Sequence, residues 1–152
     1  MELFEAVSPL DFRYYGANPA FMEKLLPYVS ESAYVKYQAK VEAALVRTLA
    51  NNGVCSHEIA DQVEKAIDQV TAEEVYEEQS RIRHNIRSLV NVIRRKISPE
   101  ARPYVHLFAT SADSLDTATA VRFKELTQKV ILPDLSNLEQ QLIVLAREHA
   151  ET

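Results

Sequence analysis

Residues 71–99 read TAEEVYEEQSRIRHNIRSLVNVIRRKISP, and the spacing of their apolar side chains decides the fold class. Val75, Ile82, Ile86, Leu89, Ile93 and Ile97 recur at helical intervals, which makes one face apolar and leaves the other charged. Thr71 and Glu74 have the Thr-x-x-Glu form of a capping box, in which each side chain serves an N–H that the first turn leaves unpaired. The spacing predicts one helix from Thr71 to the Ser98-Pro99 pair, where the residue before proline is pushed out of the helical region.

Outward from this stretch the helical period continues. Tyr34, Tyr37, Val41, Leu45 and Leu49 predict a helix over about 31–51, with Gly53 as its left-handed stop. Ser56 opens another from His57 to about Asp68, and a short one is expected from Pro19 to Leu26 after an irregular start through Gly16. A last helix should run from near Ser111 to about His149, carrying a heptad-like seam of Leu135, Leu138, Leu142 and Leu145. Pro133 should kink or locally break it. Only two glycines and six prolines interrupt the chain, and no stretch alternates long enough to argue a strand. The expected fold is all-α: a compact helical N-terminal head, residues 1–109, followed by the start of a long-helix bundle, residues 110–152.

A last helix of about 38 residues extends roughly 57 Å, longer than a compact domain of this size is wide. Its leucine seam therefore calls for a partner from another chain.

Composition excludes several function classes. The chain has 152 residues, 47% hydrophobic and 26% charged, which fits a soluble domain with one core. Net charge is −5, and the 17 basic residues are scattered among 22 acids, so neither a nucleic acid nor a membrane surface is expected as a partner. With no secretory leader or spanning segment in the sequence, a cytoplasmic location is expected. The single Cys55 has no partner for an internal disulfide and reads as a small filler rather than a nucleophile. No metal is expected, because His57, His84, His106 and His149 are too dispersed to give a ligand spacing.

Three segments carry candidate chemistry. His84 with Arg83 lies toward the edge of the apolar face of 71–99, either as part of a solvated basic face or as an anion pocket. Arg13 and Tyr14 could bind phosphate through charge-assisted hydrogen bonds, or could belong to an N-terminal arm packed on the core. Thr110 and Ser111 suit a helix cap, and the same hydroxyl and N–H groups suit a carboxylate receptor at the positive end of a helix.

In this order the segments resemble the N-terminal portion of the adenylosuccinate lyase family, within the fumarase/aspartase superfamily. The matching pieces are SPLDFRYYG (8–16), KVEAALVRTLANNG (40–53), SRIRHN (80–85), ARPYVHLFATSADSLDTA (101–118), LPDL (132–135) and LAREHAET (145–152). The fourth contains the His-x-x-x-Thr-Ser-x-Asp pattern, the most specific of the set. The resemblance implies that Arg13 and Tyr14 contact a nucleotide phosphate. It also implies that Arg83, His84 and Asn85 line the nucleotide side, with His84 in a supporting catalytic role, and that Thr110 and Ser111 hold a succinyl carboxylate. It implies a carbon–nitrogen lyase of purine and AMP biosynthesis that needs no cofactor and eliminates fumarate from adenylosuccinate and from the succinylated carboxamide intermediate, as a homotetramer.

Two positions depart from the family pattern: Asn85 stands where Asp is usual, and Phe108 where Gly or another small residue is usual. The family's general acid and general base belong to later segments, so the 152-residue chain is expected to bind and not to catalyse on its own. The alternatives are a superfamily lyase acting on argininosuccinate, aspartate or malate, or a non-catalytic helical oligomerisation module.

Overall fold

The computed structural model describes residues 19–152, so Arg13 and Tyr14 lie outside the described residues. Among the described residues seven α-helices follow one another: α1 (Pro19–Val29), α2 (Glu31–Asn51), α3 (His57–Ile67), α4 (Ala72–Ile82), α5 (Asn85–Arg95), α6 (Ser111–Leu126) and α7 (Leu132–Glu148). A 3-10 turn (Arg102–Tyr104) precedes α6, and a π-helical turn (Thr127–Ile131) joins α6 to α7. Among the described residues there is no strand, and the fold is all-α.

α2 is the central element, packing against α1, α3, α4, α5 and α6. That position explains why its buried stripe is broader than the predicted one. Val35, Ala39, Ala43, Val46 and Ala50 enter the main core, whereas Tyr34, Val41 and Leu45 are only half-buried. The alanines let neighbouring helices approach closely. Gly53, at φ +75°, ends α2 as expected: its N–H donates to the Ala50 carbonyl and that of Val54 to the Leu49 carbonyl, a Schellman pair that only a left-handed residue closes at low cost. Ser56 caps α3 by accepting the Ile59 N–H, and Thr71 and Glu74 form both bonds of the expected capping box.

The single helix expected over 71–97 is corrected by the structure to two. Arg83 takes the left-handed conformation (φ 58°, ψ 34°) and His84 an extended one, so the chain reverses between α4 and α5. The two helices fold back on each other as a hairpin. Asn91 Nδ2 donates to Glu78 at 2.8 Å, Arg95 pairs with Glu78, and Lys96 Nζ donates to Glu74 at 2.7 Å. These pairs run antiparallel, and the fold-back buries Val75 in the same core as Ile86, Leu89 and Ile93. A straight helix would leave one of its halves without a neighbour.

The expected kink at Pro133 takes another form. The Leu132 N–H reaches back five residues to the Thr127 carbonyl, and the widened turn relieves the crowding that a proline ring imposes on the carbonyl four residues before it. Beyond it, no residue of α7 is buried. Lys24 ties the start of α7 to α1 through Asp134 at 2.9 Å.

Candidate functional site

The reversal between α4 and α5 places three of the expected site residues at one helix start. Arg83 ends α4, His84 is the N-cap of α5, and Asn85 is its first residue. The His84 ring caps in place of a hydroxyl: its Nδ1 accepts the Arg87 N–H at 3.2 Å. An accepting Nδ1 must keep its lone pair, so the ring's remaining donor is Nε2–H. Asn85 Oδ1 accepts the Ile86 N–H at 2.7 Å, and the Ser88 hydroxyl donates to the His84 carbonyl at 2.5 Å. Arg83, His84, Asn85 and Arg87 are all exposed, and no acid stands in the first turn of α5. Positive side chains and the positive end of the helix dipole thus face solvent together, a setting suited to an anion.

Thr110 and Ser111 sit at the start of α6. The Asp113 carboxylate accepts the Thr110 N–H at 2.8 Å, and the Asp113 N–H donates to the Thr110 carbonyl at 3.1 Å. The cap predicted from Thr, Ser and Asp is therefore present, with Asp113 as its reciprocal half. Thr110 is exposed and Ser111 half-buried. Among the described residues no hydrogen bond or ion pair joins Thr110 or Ser111 to Arg83, His84 or Asn85, and each group is held by bonds within its own helix start.

Sequence reasoning passed over Glu42. It is fully buried on α2, where its Oε1 accepts from Ser114 Oγ at 2.6 Å and lies 2.8 Å from His106 Nδ1, while its Oε2 has no partner. His106 and Phe108 both have positive φ, 65° and 66°. Phe108 thus occupies a left-handed position that favours glycine, and its ring is 84% exposed. Arg94 holds the incoming limb of the same loop, its Nε donating to the Arg102 carbonyl at 2.9 Å and Nη2 to the Val105 carbonyl at 3.0 Å.

Other polar groups serve the framework. Glu78, almost fully buried, is bound by Arg81, Asn91 and Arg95, and these hydrogen bonds hold its carboxyl down at about 2. Burial pushes the Cys55 thiol up, which suits a filler better than a nucleophile. Among the described residues no group of three or more His, Cys, Asp or Glu side chains is placed to hold a metal ion, and no helix is long and apolar enough to cross a membrane.

A family model described as Lyase matches residues 12–152. An adenylosuccinate lyase of Archaeoglobus fulgidus is 34% identical over 145 residues, covering 95% of this chain and 30% of that protein. Those of Methanocaldococcus jannaschii and Pyrococcus abyssi are 31% and 34% identical over 149 residues, each covering 97% of this chain and 31% of the relative. The chain thus spans about 30% of the length of the curated relatives it matches. No solved structure matches it. With α1 to α7, the Arg83–His84–Asn85 reversal and the Thr110–Ser111 start of α6 all inside the matched residues, the chain belongs to the lyase family.

Proposed function

We propose that this chain is the N-terminal portion of an adenylosuccinate lyase and supplies substrate-binding groups to an elimination that releases fumarate. The observation that carries this is the capped start of α6, where two hydroxyl residues of the family-like segment meet a helix N-terminus. A base removes a proton beside a carboxylate of the succinyl group while the purine or carboxamide nitrogen leaves, so charge grows on that carboxylate. Thr110 and Ser111 are preorganised donors for it, and such donors contribute most where charge develops. Arg13 and Tyr14 hold the phosphate, while Arg83, His84 through Nε2–H, and Asn85 line the nucleotide. No cofactor is needed for this chemistry.

Among the described residues no hydrogen bond or ion pair joins the two groups of one chain, which fits a site completed by neighbouring subunits of a cytoplasmic homotetramer. Residues 1–109 form the head and 110–152 begin the bundle that carries those contacts. A second reading, a non-catalytic oligomerisation module, is favoured by one feature alone: the leucine seam of α7, exposed along its length.

The decisive assay is fumarate release from adenylosuccinate. Installed in place of the matching segment of the Archaeoglobus fulgidus enzyme, the chain is expected to support turnover, and Ser111→Ala to lower kcat by roughly 10²-fold or more. The 152-residue chain alone is expected to release none, since a positioned acid or base is commonly worth about 10²- to 10⁴-fold each. An inactive hybrid that folds and assembles would favour the oligomerisation module. Turnover by the short chain that disappears in His84→Ala would overturn the proposal.

A further inference from the structure

We propose that Glu42 is a positioning residue: through the single oxygen Oε1 it staples both ends of the 106–114 segment to α2 and so fixes the backbone that presents Thr110 and Ser111. The use of the staple rests on the carboxylate-binding reading above, but its geometry does not.

His106 and Ser114 lie 64 and 72 residues from Glu42 in sequence, and both converge on Oε1, at 2.8 and 2.6 Å. Ser114 is buried in the first turn of α6, and His106 opens the loop that leads to it. Between them the chain passes through two left-handed residues, His106 and Phe108. Non-glycine residues persist in that conformation only where surrounding structure over-determines it. Arg94 fixes the limb before His106 through two carbonyls, and Glu42 fixes the remainder. The constellation is not a nucleophilic triad, because Ser114 donates to the carboxylate rather than to the imidazole.

A fully buried carboxylate is costly unless hydrogen-bonded, and one of these two oxygens has no partner. A residue kept only to fill space on α2 would be better served by leucine. Retaining the acid makes sense where an acceptor is needed for two donors that would otherwise be orphaned.

The test is amide hydrogen exchange on the folded chain. Glu42→Leu preserves volume and removes the acceptor, and is expected to accelerate exchange at residues 110–114 roughly tenfold or more, with α3 and α4 unchanged. Glu42→Gln keeps an acceptor oxygen and is expected to recover most of the protection. Should Glu42→Leu fail to fold, Ser114→Ala cuts one arm of the staple and is expected to give the same local acceleration. Uniform acceleration across all helices, no acceleration, or a Glu42→Gln protein as fast as Glu42→Leu would each overturn the proposal. Added fumarate separates the two readings. If it leaves the Thr110 and Ser111 amide shifts unmoved while the exchange pattern holds, carboxylate binding falls and the staple stands.

Discussion

α5 and α7 carry apolar residues at the same helical period, yet they end in opposite environments. Ile86, Leu89 and Ile93 of α5 are completely buried, whereas Leu135, Leu138, Leu142 and Leu145 of α7 each remain about half exposed. Period alone makes a helix with an apolar stripe; whether the stripe stabilises the monomer depends on what the chain folds against it. α5 has α4 across a tight reversal and α2 beneath it, while α7 follows the π turn and, among the described residues, is tied to α1 by the Lys24–Asp134 ion pair. The helices gathered around α2 therefore bury one another's apolar faces. The seam becomes useful only when another helix covers it.

The sharpest way to break this comparison is truncation on the buried side. Leu89→Ala removes side-chain volume from the centre of the core and is expected to cost about 2–5 kcal/mol in denaturant unfolding. Leu142→Ala in the 152-residue chain at high dilution is expected to cost a few tenths, within the range of surface substitutions. Comparable losses at the two positions would mean that the seam already has a partner within the chain.

Association is the second probe. If the seam is covered by copies of the same chain, changing Leu138 and Leu142 to Glu should shift the protein to a smaller species in light scattering while the circular dichroism of the head is retained. An unchanged mass would remove self-association through this face.

Acid sensitivity sharpens the comparison from the electrostatic side, because the α4–α5 fold-back is tied by the buried Glu78 while the Lys24–Asp134 pair of α7 is exposed. Hydrogen bonds from Arg81, then Asn91 and Arg95, hold the Glu78 carboxyl at about 2, against 4.5 for the free group. Lys96 lowers Glu74 in the same direction. The unfolded chain therefore binds more protons than the native one between these values, and stability must rise with pH across that window. The contribution is complete above about 4.5 and is lost as pH falls toward about 2. Wild-type unfolding midpoints should drop more steeply between pH 5 and pH 3 than those of Glu78→Gln. Parallel drops would show that the α4–α5 clamp does not govern acid stability.

Much of this fold is legible locally, because caps and stops are local chemistry. Thr71 with Glu74, Ser56, Ser30 and Gly53 each act within four residues of themselves, and of these the sequence expectations covered all but Ser30. The reversal at Arg83–His84 escaped because Ile82 and Ile86 keep a four-residue step across it, so the apolar phase shows no break. Length was the available signal: an unbroken helix over 71–97 would extend about 40 Å, the same objection that applied to the last helix. Glu42 escaped for a different reason. On the helical repeat it falls on the Val35–Ala39–Val46 stripe, but what makes a buried acid tolerable there is two donors more than 60 residues away. No local pattern reports them.

A smaller effect than at Leu89 is expected at Phe108, and it tests whether the loop before α6 carries strain that the core around α2 does not. A left-handed residue with a β-carbon costs about 1–2 kcal/mol relative to one without. Phe108 is at φ 66° with its ring 84% exposed, so removing the ring forfeits almost no buried surface. Against the relief stands the greater freedom of glycine in the unfolded chain, worth roughly 0.4–1 kcal/mol. Phe108→Gly should therefore leave stability unchanged or raise it by up to about 1.6 kcal/mol, read from the urea midpoint. Replacement by Ala keeps the β-carbon and should give no such gain. A loss in Phe108→Gly larger than the entropic term would mean that the ring makes a contact in solution that holds the loop. The backbone strain would then be the consequence of that contact, and the Thr110–Ser111 start of α6 would depend on Phe108 as well as on Glu42.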